Sequence, residues 1–226
     1  MASSGADRGR EALAELCQIY WPPVYAFIRG RGHGREDAED LTQGLFESLL
    51  ERESFASADP EKGKMRSFLR VAAKRYVINQ SERGRAAKRG GGILPVPLEG
   101  DELEARLADG SAEDPERAFD RRWALTLLEK VLDDLGSEYH ELGKGEVFEA
   151  LRPALSAEDG ARMSSAEAAV VLGITDGAAR VAIYRLRKRY RELLRTAIAQ
   201  TVEHESEIDG EIRYLMELFT AAESGR

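Results

Sequence analysis

Residues 163–197, MSSAEAAVVLGITDGAARVAIYRLRKRYRELLRTA, constrain the fold of this chain more than any other stretch. Ser164 and Ser165 stand just ahead of Glu167, a spacing that predicts a capping box and so a helix start. Ala166, Ala169, Val170 and Leu172 give that helix an apolar side. Gly173 is able to take the left-handed conformation that ends a helix. Thr175 then offers an N-cap oxygen, and Asp176 favours the positive end of the next helix dipole. In that next helix Ala179, Ala182, Ile183, Leu186, Tyr190 and Leu193 recur at helical spacing and are expected inside. Seven basic side chains crowd the remainder (Arg180, Arg185, Arg187, Lys188, Arg189, Arg191, Arg195), against two acidic ones in residues 176–195. Two helices, a glycine turn and a cationic second helix predict a helix-turn-helix whose second element enters the major groove of DNA. The competing reading is a solvated basic helix.

A formal net charge of -8 over 226 residues sits oddly with a nucleic-acid binder until its distribution is read. Residues 61–92 hold ten basic and two acidic side chains, whereas 93–120 hold nine acidic and two basic. Residues 203–223 hold seven acids and one arginine. Cationic blocks separated and followed by anionic ones imply separate electrostatic tasks. No apolar run approaches the ~18 residues of a membrane span, and the N-terminus lacks the apolar core of a signal peptide, so the expectation is a cytoplasmic protein without membrane insertion. One cysteine, Cys17, excludes an intrachain disulfide and a cysteine-based zinc site, and is expected to be a small core residue.

Near the front, Leu13, Leu16, Cys17, Tyr20, Val24, Phe27 and Ile28 keep one helical phase across Pro22-Pro23, where a kink or a second helix is expected. The glycines of GRGHG, residues 30–34, predict a turn between helices. In the following helix Ala38, Leu41, Leu45, Phe46, Leu49 and Leu50 form the core stripe. Asp37, Asp40, Gln43, Glu47 and Glu51 line another face. With no histidine at ligand spacing, those acids suit a docking surface for a basic partner or simply a solvated face. After a loop over residues 54–67, Phe68, Leu69, Ala72, Ala73 and Tyr76 resume a helix, with Arg66, Arg70 and Lys74 in an i+4 ladder and Arg75 beside it. Basic residues interleaved with aromatics suit a single-stranded or melted nucleic acid, whose phosphates track cations and whose bases stack on rings. Core packing is the alternative for Phe68 and Tyr76. Residues 93–117 read as an acidic linker. Phe119, Trp123, Leu127, Leu128, Val131, Leu132 and Leu135, then Val147, Phe148, Leu151 and Leu155, are expected to pack on the helix-turn-helix. Ile208, Ile212, Leu215, Met216 and Phe219 form a last amphipathic helix, expected to fold back on that same domain or to receive a regulator.

In order, four stretches resemble bacterial RNA polymerase sigma factors of the sigma-70 family, extracytoplasmic-function group. LCQIYWPPVYAFIRGRG resembles the start of sigma domain two, and DAEDLTQGLFESLL the segment that grips the clamp helices of the polymerase beta-prime subunit. DPEKGKMRSFLRVAAKRYVINQSERGRAAKRGGG resembles the part that melts and reads the −10 element, and MSSAEAAVVLGITDGAARVAIYRLRKRYRELL the domain-four reader of the −35 element. The resemblance implies an all-α chain: domain two over residues 10–92, a linker over 93–117, domain four over 118–201 and an acidic extension over 202–226. It implies core-polymerase contacts from Asp37, Asp40, Leu41, Gln43 and Phe46, with Gly44 standing where an acidic residue is common. For the −10 element it points to Lys62, Lys64, Arg66, Phe68, Arg70, Lys74, Arg75 and Asn79, the loop at 60–66 matching one that captures a flipped base. For the −35 element it points to Thr175, Gly177, Ala178, Arg180, Val181, Tyr184, Arg185, Arg187 and Lys188, with Ala182 where a basic residue is frequent. Implied partners are core RNA polymerase (beta-prime clamp helices and beta subunit), promoter DNA, and an anti-sigma factor or other regulator. No cofactor or metal is implied. A stand-alone helix-turn-helix regulator is the second reading. An enzyme has no support in the residues, since His33, His140 and His204 are dispersed and no Ser/His/Asp, Walker or zinc spacing occurs.

Overall fold

The computed structural model describes residues 3–51, 65–87, 114–156 and 162–220. Among these the chain is all-α and carries no strand. Its helices are α1 (Ser3–Gly30), α2 (Arg35–Glu51), α3 (Met65–Ala87), α4 (Pro115–Glu141), α5 (Gly145–Leu151), α6 (Ser165–Leu172), α7 (Asp176–Ala199) and α8 (Ile208–Thr220). Short 3-10 turns occupy Arg152–Leu155 and Glu205–Glu207. No described helix is long and apolar enough to cross a membrane. Contacts divide the chain into a first unit, Met1–Thr126 with Thr201–Arg226, and a second, Leu127–Gln200. This division differs from the boundaries expected at 117/118 and 201/202: the start of α4 and all of α8 belong to the first unit.

The first unit is built on α1. Pro22 and Pro23 both lie inside one helix, although each removes an i→i−4 hydrogen bond. The turns on either side hold that path, because Ile19, Tyr20 and every residue from Pro23 to Ile28 are buried. Gly32, at φ +87°, lets the chain reverse before α2. Ala38, Leu45, Phe46 and Leu49 of α2 are buried, with Phe46 stacked on Trp21 of α1 at 5.7 Å. Leu41 is half-buried and Leu50 exposed. From α3 come the buried Leu69, Ala73 and Val77. Phe119 meets Phe27 edge-on at 6.4 Å, so the front of α4 completes this core. That corrects the expectation that Phe119 and Trp123 pack on the second domain. The last helix is corrected likewise. Ile208, Leu215 and Leu218 of α8 are buried in the first unit, while Met216 is half exposed.

Gly44 has a packing reason. A Cβ there would collide with the Tyr76 hydroxyl and lie 3.4 Å from its Cζ, so the missing side chain lets the Tyr76 ring of α3 lie across α2. This accounts for glycine inside a helix, where it costs ~1 kcal/mol against alanine.

In the second unit Leu135, Phe148, Leu151, Ala154, Ala168, Ala179, Ile183 and Leu186 form one buried cluster. Ser164 caps α6 as its spacing predicts: its side chain accepts from Glu167 N–H, and Glu167 returns the bond to Ser164 N–H at 2.8 Å. Gly173 ends α6 at φ +65°, and the Thr175 side chain accepts from Ala178 N–H at 3.3 Å to start α7. The inward side of α6 is Ala168 with the half-buried Ala169 and Leu172. Ala166 and Val170 face outward, Val170 at 82% exposure, against the expected phase.

Candidate nucleic-acid and partner surfaces

Three surfaces carry the expected site residues. On α2, Asp37, Asp40, Gln43 and Glu47 are all exposed on the side away from the buried stripe. The Gln43 side chain donates to Glu47 at 2.8 Å. Phe46 departs from the expected set: it is 4% exposed and stacked on Trp21, so its ring shapes the helix position and does not reach a partner. Leu41 is half covered. What remains open is an acidic stripe over more than two turns, suited to a basic partner.

On α7 the N-terminal half presents Gly177, Ala178, Arg180, Val181, Tyr184 and Arg185 to solvent. Val181 and Tyr184 are 48% and 62% exposed. Sequence reasoning placed them by resemblance; their exposure adds an apolar strip between cations. Arg180 bonds back to Asp176, through Nε at 3.0 Å and through Nη2. Hydrogen bonds from Ser165, then from Arg180, hold the Asp176 carboxyl below the usual range. Lys188 is exposed, 3.9 Å from Glu192. Arg187 is different: its guanidinium donates to the Ala154 carbonyl from Nε at 3.1 Å and Nη2 at 2.8 Å, so it closes the end of the 3-10 turn and is not presented outward. Arg189 pairs with Glu138 from Nε at 2.7 Å. That hydrogen bond holds Glu138 low and pushes Arg189 up.

On α3 the ladder is paired within the chain, from the buried Arg66 through the half-buried Arg70 to the exposed Lys74. Arg66, 7% exposed, donates from Nη1 to Asp120 Oδ1 at 2.8 Å and from Nε to Glu211 Oε1 at 3.0 Å. Its Cζ lies over two rings, 4.4 Å from the Tyr214 centroid and 5.1 Å from that of Trp123, which adds cation–π attraction. Burial opposes its charge, yet Asp120 and Glu211 more than offset this and its pKa rises. Arg70 reaches the other Asp120 oxygen at 2.9 Å, and Tyr214 donates its hydroxyl to that oxygen at 2.6 Å. Lys74 bonds Glu116 at 2.9 Å, holding that carboxyl low. The expected −10 contacts of Arg66, Arg70 and Lys74 are thus met inside the chain by carboxylates from α4 and α8. Arg75 and Asn79 are exposed, beside Val71 and Ile78 at 45% and 43% exposure. Phe68 and Tyr76 are half-buried, Tyr76 against Gly44. Lys62 and Lys64 lie outside the described residues, as does most of the expected linker.

Cys17 is half-buried, and burial pushes its thiol up, away from nucleophilic use. Among the described residues no His, Cys, Asp and Glu side chains cluster so as to hold a metal ion. No family model, no curated protein and no solved structure matches the chain. The class that the fold itself defines is, among the described residues, an all-α protein whose contacts form two units.

Proposed function

We propose that this chain is a promoter-specificity factor with no catalytic activity of its own, which docks on core RNA polymerase and directs it to start sites. The observation that carries the reading is the pairing of an open acidic stripe on α2 with a capped, cation-rich α7 whose first turns are solvent-facing. The α6–α7 pair, joined at the left-handed Gly173, is read as a helix-turn-helix. Arg180, Val181, Tyr184 and Arg185 stand where two or three side chains read base edges at ~1–3 kcal/mol each, and the flanking cations take phosphates. The α2 stripe is read as the polymerase handle, through Asp37, Asp40 and Gln43. Division of labour between handle and reader follows from energetics. Stacking averages ~1.4 kcal/mol per base-pair step, so opening several steps needs a larger partner that holds both duplex arms. The α3 surface, with Arg75 and Asn79 outward and its ladder behind, is read as the contact to the opened strand.

The test is a reconstituted transcription assay. Core polymerase with this protein starts from a cognate promoter, and Asp40→Arg abolishes both core binding and initiation. No initiation together with no core binding would refute the proposal.

One observation favours a second reading, a stand-alone helix-turn-helix regulator. With the α3 ladder paired internally, α7 remains the outward-facing basic helix. That reading requires tight, sequence-specific duplex binding without polymerase, and indifference of function to Asp40→Arg.

A further inference from the structure

The C-terminal helix α8 meets α3 at one point of high charge. Glu211 is 1% exposed and takes both Nε and Nη2 of Arg66, at 3.0 and 2.9 Å, on a single carboxylate oxygen. A guanidinium offers the same two-pronged edge to a phosphate oxygen. We propose that α8 is a built-in competitor for nucleic acid: Glu211 takes on Arg66 the place of a backbone phosphate, so the extension keeps the first rung of the α3 ladder shut until a strand displaces it. This rests on the reading of α3 as a nucleic-acid surface.

Charge and connectivity support a detachable competitor. In the closed ladder three cations, Arg66, Arg70 and Lys74, face three carboxylates, Glu116, Asp120 and Glu211. Glu116 and Asp120 belong to α4, which Phe119 and Trp123, both fully buried, anchor in the core. Glu211 belongs to a helix of 13 residues whose helicity alone in water is marginal, so α8 is ordered by docking. Its attachments include the buried Ile208, Leu215 and Leu218 and the Tyr214 hydroxyl on Asp120 at 2.6 Å, and ahead of it the Thr201 carbonyl accepts from Met65 N–H at the start of α3 at 3.3 Å. Lifting α8 leaves three cations against two carboxylates. The surplus positive charge then sits at Arg66, no longer covered by the Tyr214 ring.

The experiment uses the full chain and a single-stranded 20-nucleotide DNA of mixed sequence, titrated at several salt concentrations. Glu211→Gln keeps the side-chain shape and removes the competing charge; Glu205→Gln, on the exposed 3-10 turn, makes the same change in net charge elsewhere. Glu211→Gln is expected to tighten binding about tenfold at each salt concentration while keeping the slope, because the strand makes the same phosphate contact without displacing a charged competitor. Glu205→Gln is expected to change the affinity by less than about twofold, as for an exposed surface charge. Amide exchange in residues 208–220 of the unaltered chain supplies a readout that no variant's folding affects. Saturating oligonucleotide should speed it. Equal affinity gains for Glu211→Gln and Glu205→Gln, or α8 amides that DNA leaves unchanged, would overturn the competitor while leaving α3 as a nucleic-acid surface. Absence of salt-dependent binding by every form, Glu211→Gln included, would overturn both.

Discussion

Helices α3 and α7 are both rich in basic side chains, and they use their charge in opposite ways. On α3, Arg66 is held by Asp120 and Glu211 in a protein interior, the half-buried Arg70 shares Asp120, and the exposed Lys74 is tied to Glu116. On α7, Arg180, Arg185 and Lys188 sit in solvent, where neighbours such as Asp176 and Glu192 are one helical turn away and screened by water. Placement decides the outcome. An i+4 row of cations holds a fold together when remote carboxylates meet it in a dry site, and forms an electrostatic surface when nothing covers it.

The largest expected effect follows directly. Arg66→Ala leaves Asp120 and Glu211 short of a buried partner and should lower the stability of the first unit by about 3–5 kcal/mol in urea unfolding. Arg185→Ala should stay within about 0.5 kcal/mol. Equal losses at the two sites would break the contrast. Next in size is Gly44→Ala, which drives a methyl into the Tyr76 hydroxyl and should cost about 1–3 kcal/mol. The same substitution in a Tyr76→Phe background should cost less, because the colliding oxygen is gone; a double-mutant cycle checks this. In the second unit Gly173→Ala must place a Cβ at φ +65°, for about 1–2 kcal/mol read from thermal unfolding. Ser164→Ala, which removes the capping-box oxygen, should cost about 1 kcal/mol.

The smallest effect is in pH. Hydrogen bonds from the Ser164 amide and hydroxyl hold Glu167 below its ordinary value, and Arg189 does the same for Glu138. A carboxylate depressed in the folded state binds fewer protons there than when unfolded. Its stabilisation is therefore present above the ordinary value, about 4.3, and is lost as pH falls through the folded one. The melting temperature of the second unit should drop below about pH 4.3, and Ser164→Ala should shrink that drop.

Local chemistry made much of this legible in the sequence. The Ser164–Glu167 box, the left-handed Gly173 and the Thr175 cap all act within four residues, and each sits where its spacing places it. The acidic face of α2 was likewise readable, since helical period alone separates Asp37, Asp40 and Gln43 from Ala38 and Leu45. Periodicity states which residues share a face and says nothing of what that face meets. Arg66 finds partners 54 and 145 positions away, so its burial was hidden, and with it the docking of α8 on the first unit. The reason for Gly44 was hidden too, because Tyr76, the ring that requires it, lies on another helix. Val170 was assigned inward since a short helix with many apolar residues fits more than one phase; the core selected Ala168.

The contrast is tested most directly by salt titration of a mixed-sequence duplex with two single variants of the chain. Arg70 and Arg185 have the same chemistry, one facing Asp120 at 2.9 Å and the other facing solvent. Arg185→Ala is expected to reduce the slope of log K against log salt by about 0.9, one B-DNA phosphate, with Arg70→Ala leaving it unchanged. A slope that falls with Arg70→Ala and stays fixed with Arg185→Ala would contradict the account.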